Sequence, residues 1–503
     1  MPTVSELIAG NISNAMTNVK TWGGVIYNVK EFGAKGDGVT DDSAAVTATI
    51  NAAKKSGGGT IFFPRGTYLF ASESIAGAHL YLFNVHNLKF EGVGGASILK
   101  AASKDKDLIL VSGGSSNITF QNLTLDRVSG AVPGGNGIHF YNWYACPNWS
   151  GINVTIQNQY NGIYASTARP QGSMWVSCRF INNVNNGVEL IMNNDEFFET
   201  CVFSNNEGHG IKIGDPLSSV PSDGAVFIDN CVIYNNGLDG IHAEGNASHH
   251  NYNIFIIGGI LDNQLQNGIY MKHCHTVQIS TTITFSSKVG LYLGDGCREI
   301  RLDNIKVSDS AEEGIYIDSG AKFISGSGIQ VLSNGRSTQS SYYGIKISGD
   351  VKYVNFVGGV SGNADDTNLD RQTQDGGIYI DGSGGIPDYL TFVGFHFPGM
   401  LNAYTKSGNV GNRIQVIDVE GRALGLFSDQ YFGFSGSQGA QRVRHNSSTG
   451  NIEFEWNVGT NSGTWDGAHL VLGNYHLWVD SNGKLRIKNG APSSDTDGAL
   501  VGE

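Results

Sequence analysis

Between residues 136 and 380 one phrase returns ten times: NGIHF (136–140), NGIYA (161–165), NGVEL (186–190), HGIKI (209–213), DGIHA (239–243), NGIYM (267–271), VGLYL (289–293), EGIYI (313–317), YGIKI (343–347) and GGIYI (376–380). The shared glycines are Gly137, Gly162, Gly187, Gly210, Gly240, Gly268, Gly290, Gly314, Gly344 and Gly377, with gaps of 25, 25, 23, 30, 28, 22, 24, 30 and 33 residues. One unit repeated at this period is the mark of a solenoid. In each copy the residues one and three after the glycine are apolar, and the one between is polar or aromatic. That alternation is a half-buried strand.

A second strand phrase lies between the copies, as in MWVSCRFINN (174–183), EFFETCVFSNN (196–206), AVFIDNCVIYNN (225–236) and REIRLDNIKVSD (298–309). No helical stretch intervenes, which excludes leucine-rich and helical repeats, and a propeller needs four strands in each blade of ~40–45 residues. The pattern predicts an all-β chain. Its body is a right-handed, single-stranded parallel β-helix, with short N-terminal helices and a small C-terminal β-rich domain.

The cysteines agree with this register. Cys178, Cys201 and Cys231 each stand nine residues before the glycine of their own copy. Stacked on successive coils about 4.8 Å apart, they form an inward column of small apolar side chains. A metal or redox role would want a CxxC pair or a histidine in the same column, and neither is present. Asn136, Asn161, Asn186 and Asn267, each just before a glycine, predict an amide ladder at the turn.

Composition sets the outer limits. Glycine is 70 of 503 residues and proline only 10, which with 40 % hydrophobic residues excludes collagen and disorder. Acidic residues outnumber basic ones 45 to 32, for a net charge of −13, and no Lys/Arg cluster suggests a nucleic-acid groove. No apolar run is long enough for a membrane span, and the opening MPTVSELIAGNISNAM lacks the charged and apolar regions of a signal peptide.

Three segments follow. Residues 1–24 read as a helical or linker segment, 25–410 as the β-helix, and 411–503 as a β-rich domain with a flexible tail, suited to trimerisation or glycan binding. In residues 29–70, Asp42 and Ser43 can cap a helix whose apolar positions are Val46, Ile50 and Ala53, stopped at Gly57–Gly59. Residues Asp480–Lys484 read as a hairpin turn.

Chemistry is sought on the outward position two after each glycine: His139, Tyr164, Glu189, Lys212, His242, Tyr270, Tyr292, Tyr316, Lys346 and Tyr379. Such tyrosines offer flat surfaces to a sugar chain, or simply stack coil on coil. The mixed middle of this ladder, with Glu207, His209, Asp215, Asp239 and Glu244 nearby, is the candidate centre. Glycosidic hydrolysis needs two carboxyl groups, ~5–5.5 or ~6.5–9.5 Å apart, and neighbouring coils meet those distances. Asp239 with Glu207 or Glu189 is the expected acid and base pair, with His242 the fourth catalytic candidate and His209 orienting sugar or tuning a carboxylate. Lys212 neutralises a uronate or pairs with a carboxylate. Tyr144 and Trp149 form a candidate subsite wall, or a plug over the coil. Asp295, Asp318 and Asp381 are a weaker option. His249 and His250 show no metal-ligand spacing, no metal site is expected, and no GxSxG, Walker loop or HExxH occurs.

The opening VKEFGAKGDGVTDDSAAVTATINAAKKSGGGTIFFPRGTY resembles the first motif of the pectate-lyase-like β-helix superfamily, frequent in bacteriophage tailspikes and capsule depolymerases. With the repeats, the resemblance spans roughly residues 25–400. GNYHLWVDSNGKLRIKNGAPSSDTDG (473–498) resembles the terminal segment of phage tail proteins. The resemblance implies a homotrimer outside the cell or on a virion tail or baseplate, with a polysaccharide partner and hydrolase or lyase activity. It implies no cofactor, with Ca²⁺ reserved for a lyase. It transfers no catalytic residue: the paired-Asp motifs of polygalacturonase-like members are absent from the central coils, Asp41–Asp42 belonging to the opening motif. Hydrolysis of a surface glycan is the favoured expectation; elimination on a uronate polymer and a non-catalytic receptor-binding spike are the alternatives.

Overall fold

The computed structural model describes residues 25–418, apart from 76, 130–131, 133, 142–144, 220–223, 339–340, 364–371, 401 and 412. It also describes strands at 423–426, 441–446, 451–456 and 470–472, and residues 475–501 apart from 491. The expected helix in residues 1–24 lies outside these.

The body is a parallel β-solenoid of about thirteen turns. One sheet carries thirteen strands stacked in chain order, from Ala78–Phe83 to Asn402–Gly408, and ten of them are the repeat strands. In it Ile138, Ile163, Val188, Ile211, Ile241, Ile269, Leu291 and Ile315 pair in one continuous parallel register. All are buried. A second, 26-stranded sheet takes the other strands of each coil. Parallel strands joined by such crossovers wind right-handed.

The repeat glycine has a packing cause. A Cβ on Gly137, Gly162, Gly187, Gly210 or Gly240 would stand 2.5, 2.4, 2.5, 2.6 or 2.7 Å from the carbonyl oxygen of the repeat glycine in the next coil. The backbones approach too closely there for any side chain. The asparagine doublets ending the second phrase divide their work. Asn182, Asn205 and Asn235 adopt the left-handed conformation at the bend, which asparagine tolerates well. Their neighbours Asn183, Asn206 and Asn236 point inward, and Nδ2 of each donates to the next amide oxygen at 2.8, 2.9 and 3.1 Å, ending on Gln264. Aromatic stacks such as Phe180–Phe203, centroids 4.9 Å apart, fill the core beside this ladder. The cysteine column is buried as expected, and Cys201 Sγ points to Trp175 O.

At the N-terminal mouth the helix Ser43–Lys55 buries Val46, Ile50 and Ala53. Its cap differs from the expectation: Asp41, not Asp42, accepts the Ser43 N–H, while Asp42 takes the N–H groups of Lys35 and Gly36. The chain divides into two compact units, residues 1–411 with 416–424, and 412–415 with 425–503. In the second, Tyr475–Val479 and Leu485–Asn489 pair antiparallel, and the Asp480 carboxylate accepts the N–H groups of Asn482 and Lys484 in the turn between them.

Candidate functional site

The amide ladder before the repeat glycines runs through the site. Asn136 Oδ1 accepts from Asn161 Nδ2, and Asn161 Oδ1 accepts the Asn186 N–H. Asn186 Oδ1 then accepts the His209 N–H at 2.8 Å, and His209 Nδ1 accepts the Asp239 N–H at 3.2 Å. Asp239 Oδ1 takes both the N–H and Nδ2 of Asn267 at 2.8 Å. His209 and Asp239 therefore replace asparagine in a ladder that continues past them.

His242 stands two residues beyond Gly240, on the outward position. Its Nδ1 lies 2.8 Å from Asp239 Oδ2, and its Nε2 3.3 Å from Glu244 Oε2. The His209 ring is 4.4 Å away on one side, and the Tyr270 ring stacks at 4.8 Å on the other. Lys212 pairs in register with His242, and Glu244 with Lys272.

Burial sets the charges, and the neighbours decide the outcome. For His209, burial and the nearby His242 push the pKa down to about 3, so the ring is neutral. Because Nδ1 already accepts a hydrogen bond, the proton of that neutral ring sits on Nε2. Burial also opposes charge on His242, but its hydrogen bonds to Asp239 and Glu244 outweigh it and raise the pKa above 6.5. Asp239 is only 3 % exposed; burial favours its neutral form, yet His242 and His209 hold its pKa below the ordinary value. The hydrogen bond from His242 likewise lowers Glu244. The result is a basic imidazole clamped between two carboxylates.

The structure gathers His209, Asp239, His242 and Glu244, with Lys212 alongside. Glu189, Glu207 and Asp239, the expected acid and base candidates, have separate surroundings. Glu189 is buried against Lys212 Nζ at 2.8 Å and Asn186 Nδ2 at 3.0 Å, and both Asp239 oxygens meet protein donors. Glu207 is exposed at a turn. Asp215 also sits in a turn, accepting the Leu217 N–H.

Trp149 is no subsite wall. It is a core residue of the strand Trp149–Ile152, fully buried against Phe120 and Phe140, and it donates Nε1–H to Ser115 O. Tyr144 lies outside the described residues. Tyr270 and Tyr292 stack on each other at 4.9 Å and 6°, which covers the ring faces between them. Tyr164 packs on His139 at 4.9 Å, and burial pushes its pKa up to about 12. His139 is bonded to Asp107 and Ser166.

Lys272 is not among the candidates read from the sequence, although it pairs in register with Glu244, which is. Its Nζ lies 5.6 Å from the Tyr270 centroid. One atom each of His209, Asp239 and His242 lie within 4.8 Å of one another. Two imidazole nitrogens and one carboxylate oxygen suit a nitrogen-binding transition metal better than Ca²⁺, which takes six to eight oxygens.

The chain is a parallel β-helix with a histidine–carboxylate cluster on its outer ladder. Residues 26–219 match the family model described as rhamnogalacturonase A/epimerase, pectate lyase-like, and residues 447–503 match the capsule depolymerase model. Mannuronan C5-epimerase AlgE2 of Azotobacter vinelandii is 30% identical over 251 residues, covering 43% of this chain and 25% of the relative. The chain spans a quarter or less of the length of four such epimerases of A. vinelandii. Among solved structures, the A-module of A. vinelandii mannuronan C-5 epimerase AlgE4 superposes with a TM-score of 0.55 at 19% identity, over 76% of this chain and 99% of that one. Tailspike protein 3 of bacteriophage CBA120 gives 0.52 at 12% identity, over 88% and 69%. Both structures share the fold. Among the described residues, no helix is long and apolar enough to cross a membrane.

Proposed function

We propose that this chain binds a uronate-bearing polysaccharide along its ladder face and acts on it by proton transfer at His242, as a depolymerase or epimerase rather than a glycosidase. The observation that carries this reading is the clamp: His242 Nδ1 on Asp239 at 2.8 Å and Nε2 beside Glu244 at 3.3 Å. With Nδ1–H held by Asp239, neutral His242 presents Nε2 as a base, and both carboxylates stabilise the imidazolium it becomes. Lys272 neutralises the uronate carboxylate, which acidifies the proton on the adjacent carbon C5. Neutral His209 donates Nε2–H to the same group. The imidazolium then gives its proton to the leaving oxygen in elimination; in epimerisation C5 takes a proton from solvent on the opposite face of the sugar, and the imidazolium releases its own to solvent.

Several findings support this choice over hydrolysis. Glu189 and Asp239 are both held by cationic or amide donors. The relatives are named for C5 epimerisation of mannuronan, a change at that same carbon. The capsule depolymerase match at 447–503 and the tailspike-like fold favour a surface or capsular glycan as the polymer, and a trimer placed outside the cell or on a virion tail. The test incubates the full chain with mannuronan-type, capsular and teichoic-type polymers in ¹⁸O-water. Unsaturated ends, or epimerised units in an uncut chain, without solvent oxygen are expected. New reducing ends carrying ¹⁸O would return the account to hydrolysis, and binding without any change to a receptor-binding spike.

A further inference from the structure

Four coils before His242 on the same face, about 19 Å away at the strand spacing, a second histidine is bonded at both nitrogens. His139 Nδ1 lies 2.6 Å from Asp107 Oδ2, and His139 Nε2 lies 2.8 Å from Ser166 Oγ. Asp107 is buried, and its Oδ1 accepts the N–H and Nδ2 of Asn136 at 2.9 and 2.8 Å. The buried guanidinium of Arg127 is near enough for its charge to interact with Asp107. An ionised carboxylate only accepts, so the imidazole proton sits on Nδ1 and the Nε2 lone pair faces the serine hydroxyl. The hydroxyl's other neighbour, Phe140 O, is more distant at 3.4 Å.

Asp–His–Ser in this order, with the carboxylate on Nδ1 and the hydroxyl on Nε2, is the arrangement that activates a serine as nucleophile, whatever the fold or the order in the chain. Contacts of the same kind recur along the ladder: Tyr292 to Asp318, Tyr316 to Ser348 and Tyr379 to Ser407. There the reaching group is a phenol, which is no base at neutral pH. Among the described residues, the outward ladder position carries an imidazole bonded to both a carboxylate and a serine at His139. His139 and Ser166 are half-buried, and Tyr141, 48 % exposed, stands edge-on to the imidazole at 5.6 Å.

We propose that Ser166 is the nucleophile of a second activity, hydrolysis of acyl esters carried on polysaccharide hydroxyls. Ser166 Oγ forms a bond to the acyl carbon as its proton passes to His139 Nε2. The carbon–oxygen bond to the sugar breaks, and the sugar oxygen leaves with that proton. Water then attacks the acyl carbon and gives a proton to His139, the bond to Ser166 Oγ breaks, and His139 returns that proton to the serine oxygen as the acid leaves. No electron transfer or further reactant is needed. The ester class rests on the polysaccharide reading above; the nucleophilic serine does not.

The test treats the full chain with a fluorophosphonate probe and maps the label by peptide mass, alongside hydrolysis of p-nitrophenyl acetate and release of acetate from an O-acetylated polymer. Label on Ser166 is expected, absent in Ser166→Ala and His139→Gln, with ester hydrolysis reduced about 10³-fold in either. The Ser166→Ala thermal midpoint should stay within a few degrees, which separates nucleophilic loss from structural loss. An unlabelled Ser166, with equal hydrolysis in wild type and Ser166→Ala, would overturn the proposal. Label without acetate release would overturn the substrate class. Labelling uses no polymer, so it stands or fails apart from the chemistry assigned to His242.

Discussion

Asp239→Asn separates the chemistry of the site from its architecture. Asparagine is the native residue of this column at Asn136, Asn161, Asn186 and Asn267, so the substitution extends a ladder the fold already builds. The N–H and Nδ2 of Asn267 both need an acceptor, which fixes the new amide with its oxygen toward Asn267 and its nitrogen toward His242. His242 Nδ1 must then accept, its proton moves to Nε2, and the lone pair proposed as the base is gone. Replacing the carboxylate behind a catalytic imidazole costs about 10⁴-fold in rate for this reason. The lost charge also lowers the His242 pKa.

Stability should barely move. The charge-assisted hydrogen bond is worth about 1.5–3 kcal/mol, and relief of burying a carboxylate that is 3 % exposed offsets a similar amount. A net change within about 2 kcal/mol is expected on those figures. The assay pairs polymer turnover with urea unfolding and an NMR titration of His242. A variant at full rate, or one whose His242 pKa is unchanged, would refute the reasoning. Asp239→Leu is the contrast: it leaves the Asn267 donors unpaired and should lose about 2–3 kcal/mol as well as activity.

Three further outcomes follow from the same geometry. Lys212→Met strands the buried Glu189 charge and should destabilise by roughly 2–4 kcal/mol in urea unfolding, with most of it recovered when Glu189→Gln is added. Gly210→Ala places a Cβ 2.6 Å from Gly240 O and 2.7 Å from Ile233 Cγ2, and should cost about 1–3 kcal/mol with no change in net charge. The pH dependence has opposite signs at the two histidines. His209 is depressed from 6.5 to about 3, so the unfolded chain binds the extra proton in that window and stability falls as pH drops through it. His242 is raised, so its contribution is complete below 6.5 and lost as pH climbs through its folded pKa. His209→Asn should flatten the acid limb of thermal midpoint against pH, and an unchanged limb would mean His209 is not the titrating group.

The solenoid was legible because its cause is repetitive. One apolar column, one glycine column and one cysteine column each recur at a fixed offset, and the structure stacks all three. The candidate centre was legible in part. His209, Asp239, His242 and Glu244 stood out as ionisable residues in a mixed segment, but their decisive signal is more specific: NG becomes HG and then DG in two successive copies. Lys272 and Ser166 escaped because a lone lysine or serine in the row of Glu244 carries no signal until the stacked coils set it beside Glu244 or His139. Trp149 misled because an aromatic residue reads alike whether it faces sugar or fills the core of a coil; the difference is burial, which depends on Phe120 from another coil. The carboxylate pairing expected for hydrolysis depended on side-chain partners. A strand spacing places Glu189 near Lys212 as readily as near another acid.

The most direct test of the central claim is deuterium exchange at C5 of a uronate polymer that the chain binds, followed by NMR in heavy water. Wild type should place solvent deuterium at C5 or yield C4–C5 unsaturated ends, faster as pH rises through the His242 pKa, and His242→Gln should do neither. Chain cleavage that leaves C5 fully protonated, or equal exchange in His242→Gln, would contradict the account.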